Sequence, residues 1–499
     1  MVRWELDWLA NRMRLTPDTV ALIDAEQNKT WTFTELHDLS EGTADWLYEQ
    51  GVRKGDRVAL LSPNDISYFQ LLFACGKLGA VLVPINWRLS IHEMNYILQD
   101  CKPKLIVYHA SFKENIENHA FLGFQTFQIE EINTKDKEKA VLNITSLHET
   151  EPLTIIYTGG TTGKPKGVVL SHQSIMWNAM NTIISWNITN HDKTLTYMPL
   201  FHTGGLNALS LPILMAGGTV VIARDFKPEA AIDYLNKYHC TVVLLVPTMY
   251  QMMVETEAFK KNTFKSVKTF LSGGAPCPLE IYDAFKRKQL LFKEGYGLTE
   301  AGPNNFFIEP EIAIKKPGSV GKPMMFNKIK LLKENGEEAK DNEVGEVLIK
   351  GKHSFEYYWQ NRETTKETIK DGWIYTGDLA KKDEEGYYYI VGRKKDMIIT
   401  GGENVYPLEV EHWLAAHPQI DEVAVVGLPD KKWGEKVAAF VVLKKNQTIT
   451  NEELISYCSH KLGKYKIPKV FHYLDELPKT HVGKIDKKVL KEIGENIKI

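Results

Sequence analysis

Apolar and polar positions along this chain alternate between two patterns for most of its length. Short apolar runs bounded by turn residues predict strands at 57–61, 105–108, 153–156, 168–170, 241–246 and 267–271. Between them lie helical segments with recognisable starts. Thr32 and Glu35 form a possible capping box opening a helix toward Gly51, and Ser90 with Glu93 offers another. Further helices are predicted at 228–238 and 278–288. Repeated alternation of this kind argues for parallel sheets flanked by helices.

The pattern changes near Gly392-Arg393-Lys394-Lys395-Asp396. A strand is predicted before it, at 387–391. After it come shorter, mixed elements: helices at 407–416 and 451–462, and strands at 423–426 and 437–443. A glycine followed by four charged residues suits a hinge, but also suits the solvated turn of a hairpin; composition alone does not choose. The expected architecture is α/β. A large N-terminal domain of flanked, mostly parallel sheets covers residues 1–394, and a smaller, mobile α+β C-terminal domain covers 395–499.

Bulk composition narrows the function classes. With 499 residues the chain is too long for one core. Its 61 basic and 63 acidic residues give a net charge of -2, so no global field draws nucleic acid or an anionic membrane. The five scattered cysteines have no metal-ligand spacing, which fits a reducing cytoplasm better than a disulfide framework. No uninterrupted apolar stretch is long enough to cross a membrane. Trp4, Trp8 and Leu9 could form a membrane-facing stripe, but packing on the chain's own core is the simpler use of so short a segment.

The densest chemistry lies at residues 157–167, Tyr-Thr-Gly-Gly-Thr-Thr-Gly-Lys-Pro-Lys-Gly. Backbone amides in such a loop can approach an anion closely. Hydroxyls of Thr158, Thr161 and Thr162 add donors, and Lys164 and Lys166 add charge. Its register is not that of a Walker loop, because Thr158 stands where that pattern needs glycine and Pro165 where it needs a hydroxyl residue. Other clusters follow. Ser272-Gly273-Gly274-Ala275-Pro276 comes just after a predicted strand, where backbone can meet a ligand. Tyr296-Gly297-Leu298-Thr299-Glu300 offers a ring to stack a base, a hydroxyl for a phosphate and a carboxylate for a hard cation. Tyr375-Thr376-Gly377-Asp378 supplies a carboxylate suited to a ribose diol, and Lys484 ends a turn that begins at Pro478.

In this order and spacing, these motifs resemble the adenylate-forming superfamily of acyl-CoA synthetases, adenylation domains and beetle luciferases. The resemblance spans essentially the whole chain. One departure is Gly159, where the family's phosphate loop usually has serine, so one hydroxyl of the pyrophosphate grip is missing.

The resemblance implies roles position by position. Thr158, Gly159, Gly160, Thr161, Thr162, Gly163, Lys164 and Lys166 would hold the β- and γ-phosphates of ATP. Gly273, Gly274, Ala275, Pro276, Tyr296 and Gly297 would enclose the adenine, with Thr299 on the α-phosphate and Glu300 on Mg²⁺. Asp378 would bind the ribose hydroxyls, helped by Arg393. Lys395 falls at the hinge position, and Lys484 matches the catalytic lysine of the first half-reaction. Gly401, Gly402 and Trp433 would line the path of the pantetheine arm of CoA.

Phe201-His202-Thr203-Gly204-Gly205 bears on the acid. Amino-acid-activating relatives have an aspartate after that phenylalanine to pair with the substrate ammonium; here it is His202, and an uncompensated ammonium would be costly to bury. His202 would act beside the reacting carboxyl, and His202, Thr203, Gly204, Val246 and Pro247 would border a mainly apolar acyl pocket. Fifteen residues follow Lys484, too few for a fused carrier domain, so CoA is the expected thiol.

The resemblance thus implies a cytoplasmic ATP-dependent acid–CoA ligase for a fatty or aryl acid. Small molecules are its expected partners, with room for a homodimer. An o-succinylbenzoate–CoA ligase of menaquinone synthesis is the alternative, and a luciferase-like oxidoreductase or a silent nucleotide-binding module come after it.

Overall fold

The computed structural model describes residues 5–118, 123–132, 147–159, 164–480 and 485–496. Seven strands form the first sheet, in the spatial order Tyr357–Tyr358, Lys166–Ser171, Pro152–Thr158, Val81–Pro84, Arg57–Leu61, Leu105–Tyr108 and Gln125–Gln128. The last five of these run parallel. Val58 through Leu61 are buried without alternation, as a strand covered on both faces requires. The helices Phe33–Glu49 and Ile91–Cys101 open on the anticipated capping boxes. In each, the cap hydroxyl accepts from the third residue's N–H while the glutamate accepts from the cap's N–H.

A second layer joins a four-stranded sheet, ending at Lys193–Thr196, to a parallel trio Val242–Leu245, Thr269–Ser272 and Phe292–Glu294. The N–H of Thr241 donates to the carbonyl of Lys193 across that seam. Behind the trio, Tyr250, Phe259, Phe270, Phe285 and Phe292 pack, mostly edge to face, into an aromatic core.

Apart from Tyr357–Tyr358, the strands between Phe306 and Arg393 form a third sheet that is antiparallel throughout. It departs from the parallel pattern because hairpin turns, not helices, connect most of its strands.

The fourth region begins after Met397. Strands Ile398–Thr400, Glu403–Val405, Ile420–Asp430, Gly434–Leu443 and Val470–Tyr473 make a separate sheet with its own two apolar clusters. Strand pairing answers the question left open at 392–396. Tyr388–Arg393 pairs within the third sheet and Ile398–Thr400 within the fourth, so the segment links two sheets instead of closing a hairpin. A cleft of about 290 Å³ opens beside it, lined by Glu334, Glu346, Lys394, Met397, Asn404 and Tyr406.

The N-terminal helix Trp8–Leu15 faces inward: Leu9 is fully buried and the Trp8 ring meets Phe73 edge-on at 4.9 Å. Among the described residues no helix is long and apolar enough to cross a membrane, and the five cysteines are free and buried.

Phe285 touches four rings at centroid distances of 4.7 to 5.4 Å. Phe285→Ala should therefore destabilise the protein by roughly 3–5 kcal/mol, read as a lower urea midpoint. A loss under about 1 kcal/mol would show that the cluster collapses around the gap.

Candidate active site

The antiparallel pair Pro152–Thr158 and Lys166–Ser171 sets Thr158 opposite Lys166, so the ends of the glycine-rich loop are held together. Gly160, Thr161, Thr162 and Gly163 lie outside the described residues. Gly167 is required by contact: a Cβ there would sit 2.8 Å from the Ile155 side chain and 3.1 Å from Trp359. On the loop's basic side, the ammonium of Lys164 lies 5.9 Å from the ring centre of Tyr96, and that of Lys166 lies 5.4 Å from Tyr358.

No motif in the sequence singles out Tyr358. The two-residue strand Tyr357–Tyr358 pairs with Val168–Val169 and brings it to the loop. Its hydroxyl donates to Glu300 Oε1 at 2.8 Å. Burial, then the adjacent Glu300 charge, pushes the phenol well above its ordinary range, so it stays a neutral donor. One tyrosine thus touches both the loop lysine Lys166 and the candidate metal ligand Glu300.

A second convergence forms where strands Trp373–Lys382 and Tyr388–Arg393 place Asp378 opposite Arg393. Arg393 Nε lies 3.1 Å from Asp378 Oδ1, and the Tyr296 hydroxyl donates to Oδ2 at 2.7 Å. Asp378 is buried, while the Arg393 side chain is half-exposed. Burial and the Asp378 charge hold the Tyr296 phenol far above its usual range. A carboxylate fixed this way keeps lone pairs for two hydroxyls of a diol.

Between these groups the chain folds back tightly. A Cβ on Gly297 would fall 2.1 Å from the Pro303 carbonyl oxygen, so only glycine fits. The Leu298 N–H donates to the Gly302 carbonyl, and Thr299–Ala301 make one 3-10 turn that carries Thr299 and Glu300. Buried amides brace this turn from behind. Asn305 Nδ2 donates to the Gly302 carbonyl at 2.9 Å, and its Oδ1 accepts from Asn327 and from His353 Nε2. Burial pushes the His353 imidazole down to about 4, so it is neutral in this network.

Gly273 to Pro276 follow the strand Thr269–Ser272. Gly274, at φ 83°, lies 3.7 Å from the Val246 side chain when given a Cβ, so the candidate adenine and acyl residues, with Pro247, are neighbours. His202 stands before the short turn Thr203–Gly205, its ring 4.6 Å from that of Phe201. A Cβ on Gly205 would meet the Pro199 carbonyl at 2.2 Å, whereas Gly204 has ordinary clearance at 3.7 Å. The segment is anchored by buried Asn64, which donates to the carbonyls of Met198 and Ala223 and accepts from the Leu200 N–H.

In the fourth sheet, Gly401 and Gly402 form the turn between Ile398–Thr400 and Glu403–Val405, both at positive φ. The Gly401 N–H donates to the Trp433 carbonyl at 2.8 Å, and a Cβ on Gly401 would come within 2.8 Å of the indole. The three candidate CoA residues are therefore one cluster. Lys395 lies in the turn Lys394–Asp396, where Lys394 pairs with Glu346 at 3.1 Å. Lys484 lies outside the described residues; Lys479 and Ile485, on either side of it in sequence, form an antiparallel bridge.

The strand Phe292–Glu294, which leads into Tyr296, carries two buried ionisable groups on opposite faces. Glu294 accepts from the Tyr282 hydroxyl and the Cys277 N–H, and burial pushes its carboxyl up to about 7. Lys293 is 4% exposed, and burial pushes its ammonium down to about 7. The faces of Trp186 and Phe307, at 4.4 and 4.7 Å, attract the cation and oppose that shift.

A lysine whose folded value lies below its unfolded one binds fewer protons when folded, so stability is lost as pH falls from about 10 toward 7. Lys293→Met should therefore raise the Tm most at pH 6.5 and least near pH 10. An advantage that did not shrink with rising pH would mean that the buried charge is not its source.

Two family models match: "AMP-binding enzyme" over residues 9–359 and "AMP-binding enzyme C-terminal domain" over 409–484. The chain is 36% identical to a feruloyl-CoA synthase from Amycolatopsis sp over 480 residues, 96% of this chain and 97% of that one. It also resembles o-succinylbenzoate CoA synthetase from Bacillus subtilis in complex with the acyl-adenylate intermediate OSB-AMP, at 33% identity and TM-score 0.87, covering 97% of this chain and 98% of that one. Against a double mutant of that synthetase bound to the product analogue OSB-NCoA, identity and coverage are the same but the TM-score is 0.72. The chain belongs to the AMP-binding enzyme family and, like these relatives, is an AMP-forming acid–thiol ligase.

Proposed function

We propose that this enzyme joins an aryl or fatty acid to CoA through an acyl-adenylate, with Lys484 serving the first step and the Gly401–Gly402 turn the second. The observation that carries the reading is Tyr358, which brings Lys166 of the phosphate loop and Glu300 to the same ring. Beside them the Tyr296–Asp378–Arg393 cluster offers a ring for adenine and a fixed carboxylate for ribose.

The first step joins a carboxylate oxygen to the α-phosphorus of ATP and releases pyrophosphate. Both reactants are anionic, so positive charge at the transition state lowers the barrier most. Lys164, Lys166, Arg393 and Lys484 supply it. Glu300 fits Mg²⁺, an ion usually held by one or two carboxylates together with substrate phosphates. Among the described residues no group of three His, Cys, Asp or Glu gathers to hold a metal unaided. When bound, Mg²⁺ neutralises charge on the phosphates.

In the second step the CoA thiol releases its proton to solvent and its sulfur attacks the acyl carbon; the thioester forms as the acyl–oxygen bond breaks, and AMP departs with that bond's electrons. In this proposal the chain divides into domains 1–394 and 395–499, and rotation about Lys395 withdraws Lys484 and presents Gly402. The better overlay on the acyl-adenylate complex than on the product-analogue complex supports the first-step orientation for this structure. The buried free cysteines support a reducing, cytoplasmic setting.

Acid identity rests on His202, which replaces the aspartate that would hold an amino acid. The aromatic acid in the relative's name, feruloyl-CoA synthase, supports an aryl acid first. The resemblance to o-succinylbenzoate CoA synthetase supports the second reading.

Pyrophosphate release across a panel of acids, with thioester formation on adding CoA, tests the assignment; no acid-dependent release would end it. Lys484→Ala should cut adenylate formation by about 100-fold or more while sparing thioester formation from a supplied acyl-adenylate. Gly402→Leu should do the reverse. Equal loss of both half-reactions in either variant would remove the two-face division of labour.

A further inference from the structure

Neither half-reaction gives Glu346 a task, yet it is buried and both its carboxylate oxygens are bonded. Oε1 accepts from the Gly377 N–H and Oε2 from the Lys394 ammonium, each at 3.1 Å. The first bond is made where the third sheet loses its regular register. One pairing joins Glu346 to Leu379 and the next joins Leu348 to Tyr375, so Val347 alone stands opposite Thr376, Gly377 and Asp378. A bulge of this kind takes backbone groups out of the ladder and re-aims the side chains it carries. Gly377, at φ 71°, turns its N–H to Glu346, while the Asp378 N–H donates to the Thr376 hydroxyl at 3.1 Å.

The side chain re-aimed is that of Asp378, the carboxylate proposed for the ribose. Its Oδ1 takes Arg393 at 3.1 Å, and the next residue, Lys394, returns to Glu346. A closed ring therefore runs through Glu346, Gly377, Asp378, Arg393 and Lys394. Glu346 is its rigid member, because the strand Val344–Lys350 is paired on both sides. Lys395 follows the ring directly in the chain. The Glu346–Lys394 pair also stands in the wall of the cleft of about 290 Å³, together with Met397, Asn404 and Tyr406 from beyond Lys395.

We propose that Glu346 is a positioning residue with two tasks: it sets the bulge that aims Asp378 at the nucleotide, and through Lys394 it keeps rotation at Lys395 from dragging Arg393 off that carboxylate. This rests on the ligase reading and deepens it. The acyl-adenylate made in the first step is consumed in the second, so its AMP end must stay bound while the smaller domain changes face. Without the Lys394 bond, rotation spreads back to Arg393 and the intermediate is released. Water then cleaves it to the acid and AMP, and pyrophosphate accumulates without thioester. Supporting bonds of this kind are what hold a reacting constellation to within about half an ångström.

The test uses the full-length enzyme with ATP, CoA and the most active acid of the panel. The share of pyrophosphate not matched by thioester should rise roughly 3- to 10-fold in Lys394→Met. Lys394→Arg, which keeps a cation for Glu346, should restore the match. Glu346→Gln should leak like Lys394→Met, and combining the two should add nothing, as expected of one shared interaction. A pair that only supports the fold would lower the Tm of these variants and leave the share unchanged. An unchanged share in Lys394→Met, or an equal leak in Lys394→Arg, overturns the coupling.

AMP binding, followed by calorimetry, reads the other task without turnover. Glu346→Ala should lower AMP affinity roughly 10-fold or more, and Glu346→Gln, which still offers an oxygen to the Gly377 N–H, by less than about 3-fold. Should the Tm show Glu346→Ala to be unfolded, Glu346→Asp, one methylene too short to keep both bonds, takes its place. Undiminished AMP affinity in these shortened variants overturns the positioning of Asp378. If no acid is turned over, the ligase reading fails by itself, and the AMP affinities still decide whether Glu346 positions the carboxylate.

Discussion

A ligase of this family must bring like charges into contact, and in the proposed site that constraint falls on a few cations held against aromatic rings. A carboxylate approaching a triphosphate is repelled through several ångströms of low dielectric unless cations are already in position. Lys164 and Lys166 rest against Tyr96 and Tyr358, and the net charge of the whole chain is only -2. The field is local by construction. A ring face attracts an ammonium without neutralising it, whereas a carboxylate partner would spend the charge before the nucleotide arrives. Arg393 is the exception, and its partner Asp378 is the carboxylate proposed to face the ribose.

Placement of those groups depends on backbone that only glycine allows. Gly297 against the Pro303 carbonyl and Gly205 against the Pro199 carbonyl leave no room for a methyl group. Both tight turns are braced by buried amides, Asn305 with Asn327 in one case and Asn64 in the other. Buried amide networks with their bonds satisfied confer rigidity, which a site needing sub-ångström placement requires.

The same particulars show what the sequence could reveal. Capping boxes at Thr32 and Ser90 and the apolar runs of the parallel strands are local signals, and the elements appear where they predict. Glycine clusters around 159, 273, 297 and 401 point to the candidate site, because a backbone that must approach a ligand writes itself in consecutive residues. Tyr358, Asn64, Asn305 and Trp186 were silent. Each acts on a partner far away in the chain, such as Tyr358 on Glu300, 58 residues apart, or Asn64 on Met198, 134 apart. No periodicity or spacing rule reaches that distance. The segment at 392–396 was ambiguous for a related reason: a hairpin turn and a linker differ only in which strands pair on either side.

Pairing also constrains how the smaller C-terminal part can take part in two reactions. Gly401 is bonded to the Trp433 carbonyl and packed on its indole, so the turn and the ring move together. The strands carrying them belong to a sheet with its own buried clusters, which resists bending. In the proposed cycle, then, the change of face cannot be spread over the domain and must fall on the few residues between the third and fourth sheets. Lys394, tied to Glu346 at 3.1 Å, lies on the near side of Lys395, and that bond fixes one boundary of the moving part. Lys395 lies in the single turn Lys394–Asp396 that joins strands of the two sheets, so its torsions are among the few left to absorb the rotation.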